Sequence, residues 1–594
     1  MKIITKNNSL FLWGIMIFSF FYLSMIIPSH KKKSKNIRTY YPEVFHLNNT
    51  DKEWVENELK SMTTKEKVAQ MIMPWVMGND QSLDTLETVR IRQMITELKV
   101  GGFAYFQGDI NNERKDIIDM QALSKIPLLI ASDFENGLGM RLTDGNTFPY
   151  NMAVAATGDT SLAYNMGKAI AREARAIGVQ QNFAPVADIN DNPENPVIGI
   201  RSFSGNKYIV SKFVNAFIDG AAVGGVISTA KHFPGHGNTK IDSHIELPKI
   251  DKSKRYLYKN ELFPFIKAIK RGVQSIMIGH LNFPALQKDT LLPASLSHEV
   301  VTNLLKNKLG FKGIIITDAM RMKALTKYYS VAEAALMAVN AGNDIILMPP
   351  DPEVAITAIS NSVFSNEISI ERINESVRKI LSAKRWIDKT KPKWDIFQNG
   401  NSYIPHQKLA QKIADKSITL VKNKRHIIPI KTRKYRRVVS IVFSYGIDRD
   451  SVLTFNKLIS NKFGSVKTIV LNKRSRRRQY SKAYSYARKA QLIFLPYFMR
   501  AQSDEGTQRL YKKYLKFIKK ILRLRAPSVL IDFGNPYILS PLPQTKTYLS
   551  AYNDVEVSQI SAVKAILGKI PIRGTLPISI PKTKYKFGYG LKIN

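Results

Sequence analysis

The chain has 594 residues, no cysteine, a net charge of +42 and a mean hydropathy of −0.18. That length allows two to four domains with large cores, and the missing cysteine excludes disulfides, a thiolate nucleophile, zinc–thiolate sites and a lipidated Cys anchor. The charge is uneven: residues 401–594 hold 40 Lys and Arg against 8 Asp and Glu, whereas residues 1–400 hold 49 against 39, so the last third either attracts polyanions or reflects a composition drifted toward lysine.

Residues 10–27 form an eighteen-residue run without charge, preceded by Lys2 and Lys6 and followed by lysines at 31–33. The run is long enough to span a bilayer, and no small-x-small cleavage site follows it. Residues 1–38 are therefore expected to be a signal peptide or a retained membrane anchor. The protein is expected to be exported, either periplasmic or anchored facing the envelope.

After a linker near residues 30–50, residues 51–73 show helical spacing, with Thr63 or Thr64 able to cap a helix. Strands are expected over 100–106, 127–133, 181–188, 226–231, 275–280, 313–318 and 344–348, with helices over 161–177, 206–223 and 298–309 between them. Repeated strand–helix units of this length predict an α/β fold with a parallel sheet, a (β/α)8 barrel across residues 39–390. The apolar runs end on Asp133, Asp188, Lys231–His232, His280 and Asp318. In a barrel those ends share the face that carries chemistry.

Within that frame the stretch Lys-His-Phe-Pro-Gly-His-Gly-Asn-Thr-Lys-Ile-Asp-Ser-His at 231–244 stands out. Pro234, Gly235 and Gly237 open a loop as the apolar run ends. Asp242 and His244 are two positions apart and share a side if the segment is extended. A carboxylate there fixes one imidazole tautomer and raises its proton affinity, which suits a general acid/base. His232, His236 and His244 also suggest a metal site, but they lack the i, i+4 helical pairing with a flanking Glu that zinc hydrolases use, and no metal is expected.

Asp318 ends the run Gly-Ile-Ile-Ile-Thr at 313–317, where a carboxylate can act as nucleophile, as base, or as N-cap of the next helix. Asp133, Arg141, Arg201, Lys231 and His232 supply acceptors and donors suited to a polyol. A helix over 369–386 closes the region, and the polar stretch 388–405 contains an expected linker at 391–405. Beyond it, strand-like runs at 414–421, 438–443, 467–471, 492–495 and 527–533 predict a smaller, basic α/β domain over 406–594. There is no internal repeat. Gly-Ala-Ala-Val-Gly-Gly at 220–225 does not match a dinucleotide or nucleoside triphosphate loop, and no cofactor is expected.

The segments Ala-Ser-Asp-Phe-Glu-Asn-Gly-Leu-Gly-Met-Arg at 131–141, Asn-Phe-Ala-Pro-Val-Ala-Asp at 182–188, Arg-Ser-Phe-Ser-Gly at 201–205, the 231–244 run and Thr-Asp-Ala-Met at 317–320 together resemble glycoside hydrolase family 3. The likeness is to its β-N-acetylhexosaminidase branch, which acts on peptidoglycan-derived amino sugars. It covers residues 50–390 and continues weakly at 414–423 and 568–577. It implies that Asp318 is the nucleophile, His244 the acid/base and Asp242 its partner, and that Asp133, Arg141, Arg201, Lys231 and His232 bind the sugar. Phe134 and Asn136 depart from the family's usual Asp-Gln/Glu-Glu-Gly-Gly, so the subsite beside Asp133 is expected to differ in shape.

The resemblance implies a retaining hydrolase removing β-linked N-acetylglucosamine, with an amino-sugar glycan as partner. Two alternatives are a β-glucosidase-type member drawing a Glu from the second domain, for which Glu505 is a candidate, and a non-catalytic glycan-binding protein of the envelope. The basic domain is expected to meet an anionic envelope surface. Nucleic acid is not expected, because no motif of a known reader accompanies the charge.

Overall fold

The computed structural model describes residues 45–78, 86–289, 291–390, 404–444, 453–498 and 512–594. The apolar run at 10–27, Glu505 and the linker residues 391–403 lie outside them. Among the described residues no helix is long and apolar enough to cross a membrane.

The first sheet begins with β1 (Ile72–Met73) and β2 (Trp75–Met77), on either side of Pro74, and continues with β3 (Gly102–Phe106), β4 (Leu129–Ser132) and β5 (Gln181–Asn182). β6 (Ile227–Phe233), β7 (Ser275–Ile278), β8 (Ile314–Thr317) and β9 (Ile346–Leu347) complete it. β2 to β8 pair in chain order, every pair parallel. β1 pairs with β9, and Ile345 beside β9 is bridged to Ile316 of β8. The result is a curled, TIM-like arrangement in which the two-stranded sheet β1–β9 adjoins the seven-stranded sheet β2–β8 at Pro74 and at the Ile316–Ile345 bridge. Its strands are buried on both faces, which is why they read as unbroken apolar runs.

Local chemistry sets most boundaries. Thr63 caps the helix Thr64–Gln70 in a reciprocal capping box with Glu66, and Ser330 does the same with Glu333 for the helix Val331–Ala341. Residues 71–73, expected to prolong a helix, instead turn at Met71 into β1. The strand expected over 181–188 stops at Asn182, because Pro185 has no N–H for a ladder, and its continuation meets β6 irregularly, at Thr229–Ala184 and at the bridge Val186–Lys231. The segment expected as a helix over 298–309 is wound as a π-helix, Glu299–Lys308.

The second sheet holds β10 (Thr419–Asn423), β11 (Val438–Ser444), β12 (Val466–Leu471), β13 (Leu492–Phe498), β14 (Ser528–Phe533) and β15 (Thr547–Ser550). Their order is β10-β15-β14-β13-β11-β12, parallel except for the antiparallel β10–β15 pair. Helices Arg477–Lys489 and Lys512–Ile521 cover one face, and Leu453–Phe463 and Glu556–Ile566 the other. The strand expected over 414–421 is a helix, Ile404–Ser417, up to Ser417. Buried Ala410, Ile413, Ala414 and Ser417 follow the i, i+3, i+4, i+7 period of a helix. β15 had not been expected.

Candidate active site

A cavity of about 740 Å³ is lined at once by Asp133, Arg141, Arg201, Lys231, His232, Asp242, His244 and Asp318. All eight residues singled out in the sequence therefore share one space. Asp318 arrives on β8, where three isoleucines and Thr317 are buried. Its carboxylate accepts from the Ala319 N–H at 2.8 Å. The next helix, Lys323–Thr326, starts too late for Asp318 to be its cap. Burial alone would raise the Asp318 pKa, but the rings of His232, His280 and His244 outweigh it and hold the group below the usual carboxylate value. Asp318 is ionised.

In the same cavity, His244 Nδ1 lies 2.7 Å from Asp242 Oδ1, and the same oxygen accepts the His244 backbone N–H at 2.9 Å. The pairing arises in a turn, not in the extended segment the spacing had suggested: Ile245 and Glu246 both donate to the Asp242 carbonyl. An ionised carboxylate only accepts, so Nδ1 carries hydrogen and Nε2 is the available ring nitrogen. Burial pulls the His244 pKa down, but the hydrogen bond and charge of Asp242, with the charge of Asp318, raise it overall.

The loop that presents Asp242 is held close to the sheet. A Cβ on Gly237 would sit 1.8 Å from the Ile189 carbonyl, and Gly235 has φ +136°. Only glycine fits both demands. Beneath the loop, Asp188 accepts the backbone N–H groups of His232 and His236 and meets His232 Nδ1 at 2.7 Å.

The floor of the cavity is an ion network. Asp133 meets Arg141 at 2.7 Å and Lys231 at 2.6 Å; Glu135 meets Lys231 at 2.9 Å and takes both arms of the Arg201 fork, at 2.9 and 2.5 Å. Burial would raise both carboxylates. The cations outweigh it, holding Asp133 far below the usual range and Glu135 at about 2. Lys231 and His232 are consecutive in β6, so a regular strand would send them to opposite faces. Instead β6 shifts register against β7 between Ala230 and Phe233, a bulge-like irregularity that lets both reach the cavity.

Phe134 and Asn136 alternate away from this floor. The Phe134 N–H donates to Asn182 Oδ1 and its ring is fully buried, while Asn136 Nδ2 donates to the Phe148 carbonyl. Neither lines the cavity. Among the described residues no three His, Asp or Glu side chains are grouped to hold a metal ion. His236 spends Nε2 on Ser243 Oγ at 2.9 Å, and burial followed by the neighbouring His232 lowers its pKa to about 4.

Two lining carboxylates had not been assigned to the site from the sequence. Glu135 follows Asp133 by two positions, a spacing that could have flagged it. Asp554 comes from the second sheet, in the loop after β15, and no local pattern marks it. His280, expected on the chemical face, lies behind it, with Nδ1 2.8 Å from Ser295 Oγ and Nε2 3.1 Å from the Ala319 carbonyl.

Comparison with known proteins places this geometry among relatives. Residues 63–383 match the glycosyl hydrolase family 3 N terminal domain. The chain is 31% identical over 379 residues to a beta-hexosaminidase A of Pseudoalteromonas piscicida, covering 58% of this chain and 63% of that one, less than two thirds of its length. It is 25% identical over 580 residues to a beta-N-acetylglucosaminidase/beta-glucosidase of Cellulomonas fimi, covering 90% of this chain and 97% of that one. A solved family 3 beta-N-acetylglucosaminidase from Paenibacillus sp. str. FPU-7 superposes with a TM-score of 0.77 at 30% identity, covering 88% of this chain and all of that one.

Proposed function

The chain belongs to glycosyl hydrolase family 3, and on that premise we propose that it is a retaining β-N-acetylhexosaminidase acting on amino-sugar glycans. One observation carries the reading: an ionised Asp318 and an Asp242-held His244 face the same cavity and feel each other's charge. Asp318 attacks the anomeric carbon while His244 Nε2–H protonates the departing glycosidic oxygen, leaving a covalent glycosyl–enzyme. His244, now neutral, takes a proton from water as that water attacks the same carbon, and the sugar leaves with its configuration retained. Asp242 fixes the tautomer and stabilises the imidazolium.

The lining suits a neutral polyol. Its carboxylates Asp133, Glu135, Asp242, Asp318 and Asp554 are matched in number by Arg141, Arg201, Lys231, Arg321 and Lys323. Asp133, Arg141, Arg201, Lys231 and His232 present acceptors and donors to ring hydroxyls and the acetamido group. Trp75 and Phe106 add apolar faces for the sugar ring.

The proposed setting is the cell envelope, with peptidoglycan-derived fragments as substrate; the uncharged run at 10–27 supports export. The name of the Cellulomonas relative supports a second reading in which glucosides are also cleaved. Both are tested by product analysis on N-acetylglucosaminyl-N-acetylmuramic acid fragments and on N-acetylglucosaminide and glucoside model substrates, with and without phosphate as acceptor. Preferred release of β-configured N-acetylglucosamine is expected. Absence of turnover on every substrate would leave only a glycan-binding protein and end the proposal.

A further inference from the structure

On one face of the second sheet, helices Arg477–Lys489 and Lys512–Ile521 border a recess of about 560 Å³. Arg477, Ser481, Ser485 and Arg488 follow one another at helical intervals along one side, and Lys489 and Lys520 complete the rim. Among the described residues none of these four cations is in an ion pair. The only acids between positions 466 and 525 are Asp504 and Glu505, outside the described residues.

At the base sits Tyr480, 8% exposed, its hydroxyl buried without a hydrogen-bond partner among the described residues. The ring is fixed by an edge contact with Phe517 at 5.0 Å and by Lys513 Nζ 4.4 Å from its centroid. Lys520 is held 3.8 Å over the Tyr484 ring, an aromatic face in place of a carboxylate. Buried hydroxyls are ordinarily paired, so an orphaned one on a residue lining the same recess as four cations without ion pairs among the described residues points to a missing acceptor.

We propose that this recess binds a linear oligophosphate, free or carried on a small molecule. The side chains offer donors and positive charge, and such a ligand brings only acceptor oxygens. Arginine forks match phosphoryl geometry in pairs. A concave site with a recessed hydroxyl suits a discrete ligand better than a flat bilayer. The site is separate from the glycosidase cavity and does not depend on its chemistry.

The test is calorimetric titration of the full chain with inorganic tripolyphosphate at low and high salt. One-to-one binding that weakens with salt is expected. The double variant Arg477→Gln/Arg488→Gln should lose roughly tenfold or more in affinity, as charge-assisted bonds to phosphate are removed. Tyr480→Phe, which leaves the charge unchanged, should lose roughly tenfold, the scale of one hydrogen bond to a charged acceptor. A Lys582→Gln/Lys584→Gln control elsewhere on the basic surface should bind as the parent does, and circular dichroism checks that every variant is folded. An equal loss in the control, no effect of Tyr480→Phe, or binding to anionic vesicles or single-stranded DNA but not to tripolyphosphate would each overturn the assignment.

Discussion

Two charged regions of this molecule obey different rules. On the cavity floor Glu135 and Lys231 are buried, Asp133, Arg141 and Arg201 are half-buried, and all five interlock, each charge answered within 3 Å. On the outer helices Arg477–Lys489 and Lys512–Ile521 there is not one acid. Charge in the first region is an architectural element whose effect depends on geometry. In the second it is a surface potential whose effect depends on number and salt. Net charge, the quantity easiest to read from composition, describes only the second.

The sharpest probe of the first region is the nucleophile. Asp318→Ala should lower kcat/KM by about 10^4-fold or more, measured on an aryl N-acetylglucosaminide. Activity near the parent level would break the assignment. His244→Ala should cost about 10^2- to 10^4-fold on poor leaving groups and far less on a dinitrophenyl glycoside, which needs no proton. The sign of the pH dependence follows from the raised His244 pKa: kcat/KM should fall as pH rises through it, once the acid loses its proton. Asp242→Asn should move that fall to lower pH, read from the alkaline limb of the pH–rate profile.

The contrast itself is testable by stability. Glu135→Gln leaves Arg201 without its carboxylate and Lys231 with only Asp133, and should cost about 3–5 kcal/mol. Lys482→Gln on the exposed helix should change stability by no more than about 0.5 kcal/mol. Both are read by urea denaturation, and equal effects would erase the distinction. The folded Glu135 pKa, about 2, lies below its ordinary 4.5. Its contribution is therefore present above pH 4.5 and lost as pH falls toward 2, a loss the variant should lack. Smallest of all, Asp554→Asn should raise KM by roughly 2- to 10-fold, the scale of one hydrogen bond to substrate, with kcat nearly unchanged.

The sequence showed most where a single local rule sufficed. Three isoleucines make β8 unmistakable and so deliver Asp318. The pairing of Asp242 with His244 was legible in their spacing, although a turn and not an extended segment brings them together. Misreadings came where rules compete. Ala414 looks like the start of a strand until the helical period from Ala410 is followed. Pro185 ends a run that composition alone would continue. Asp554 could not be found, since its proximity to Arg201 and Tyr150 around one cavity depends on how two sheets far apart in the chain dock together.

That docking has a further consequence. Ser204 Oγ and the Gly205 N–H both donate to the Pro577 carbonyl, the former across 373 positions, and the Tyr537 hydroxyl donates to the Asn190 carbonyl at 2.9 Å. Thr575 N–H reaches Ala156 O at 3.0 Å. The turn that aims Arg201 is thus moored to the tail end of the polypeptide. The family 3 N-terminal segment, 63–383, is therefore expected not to fold independently of the second sheet, and heat should melt both sheets in one cooperative step.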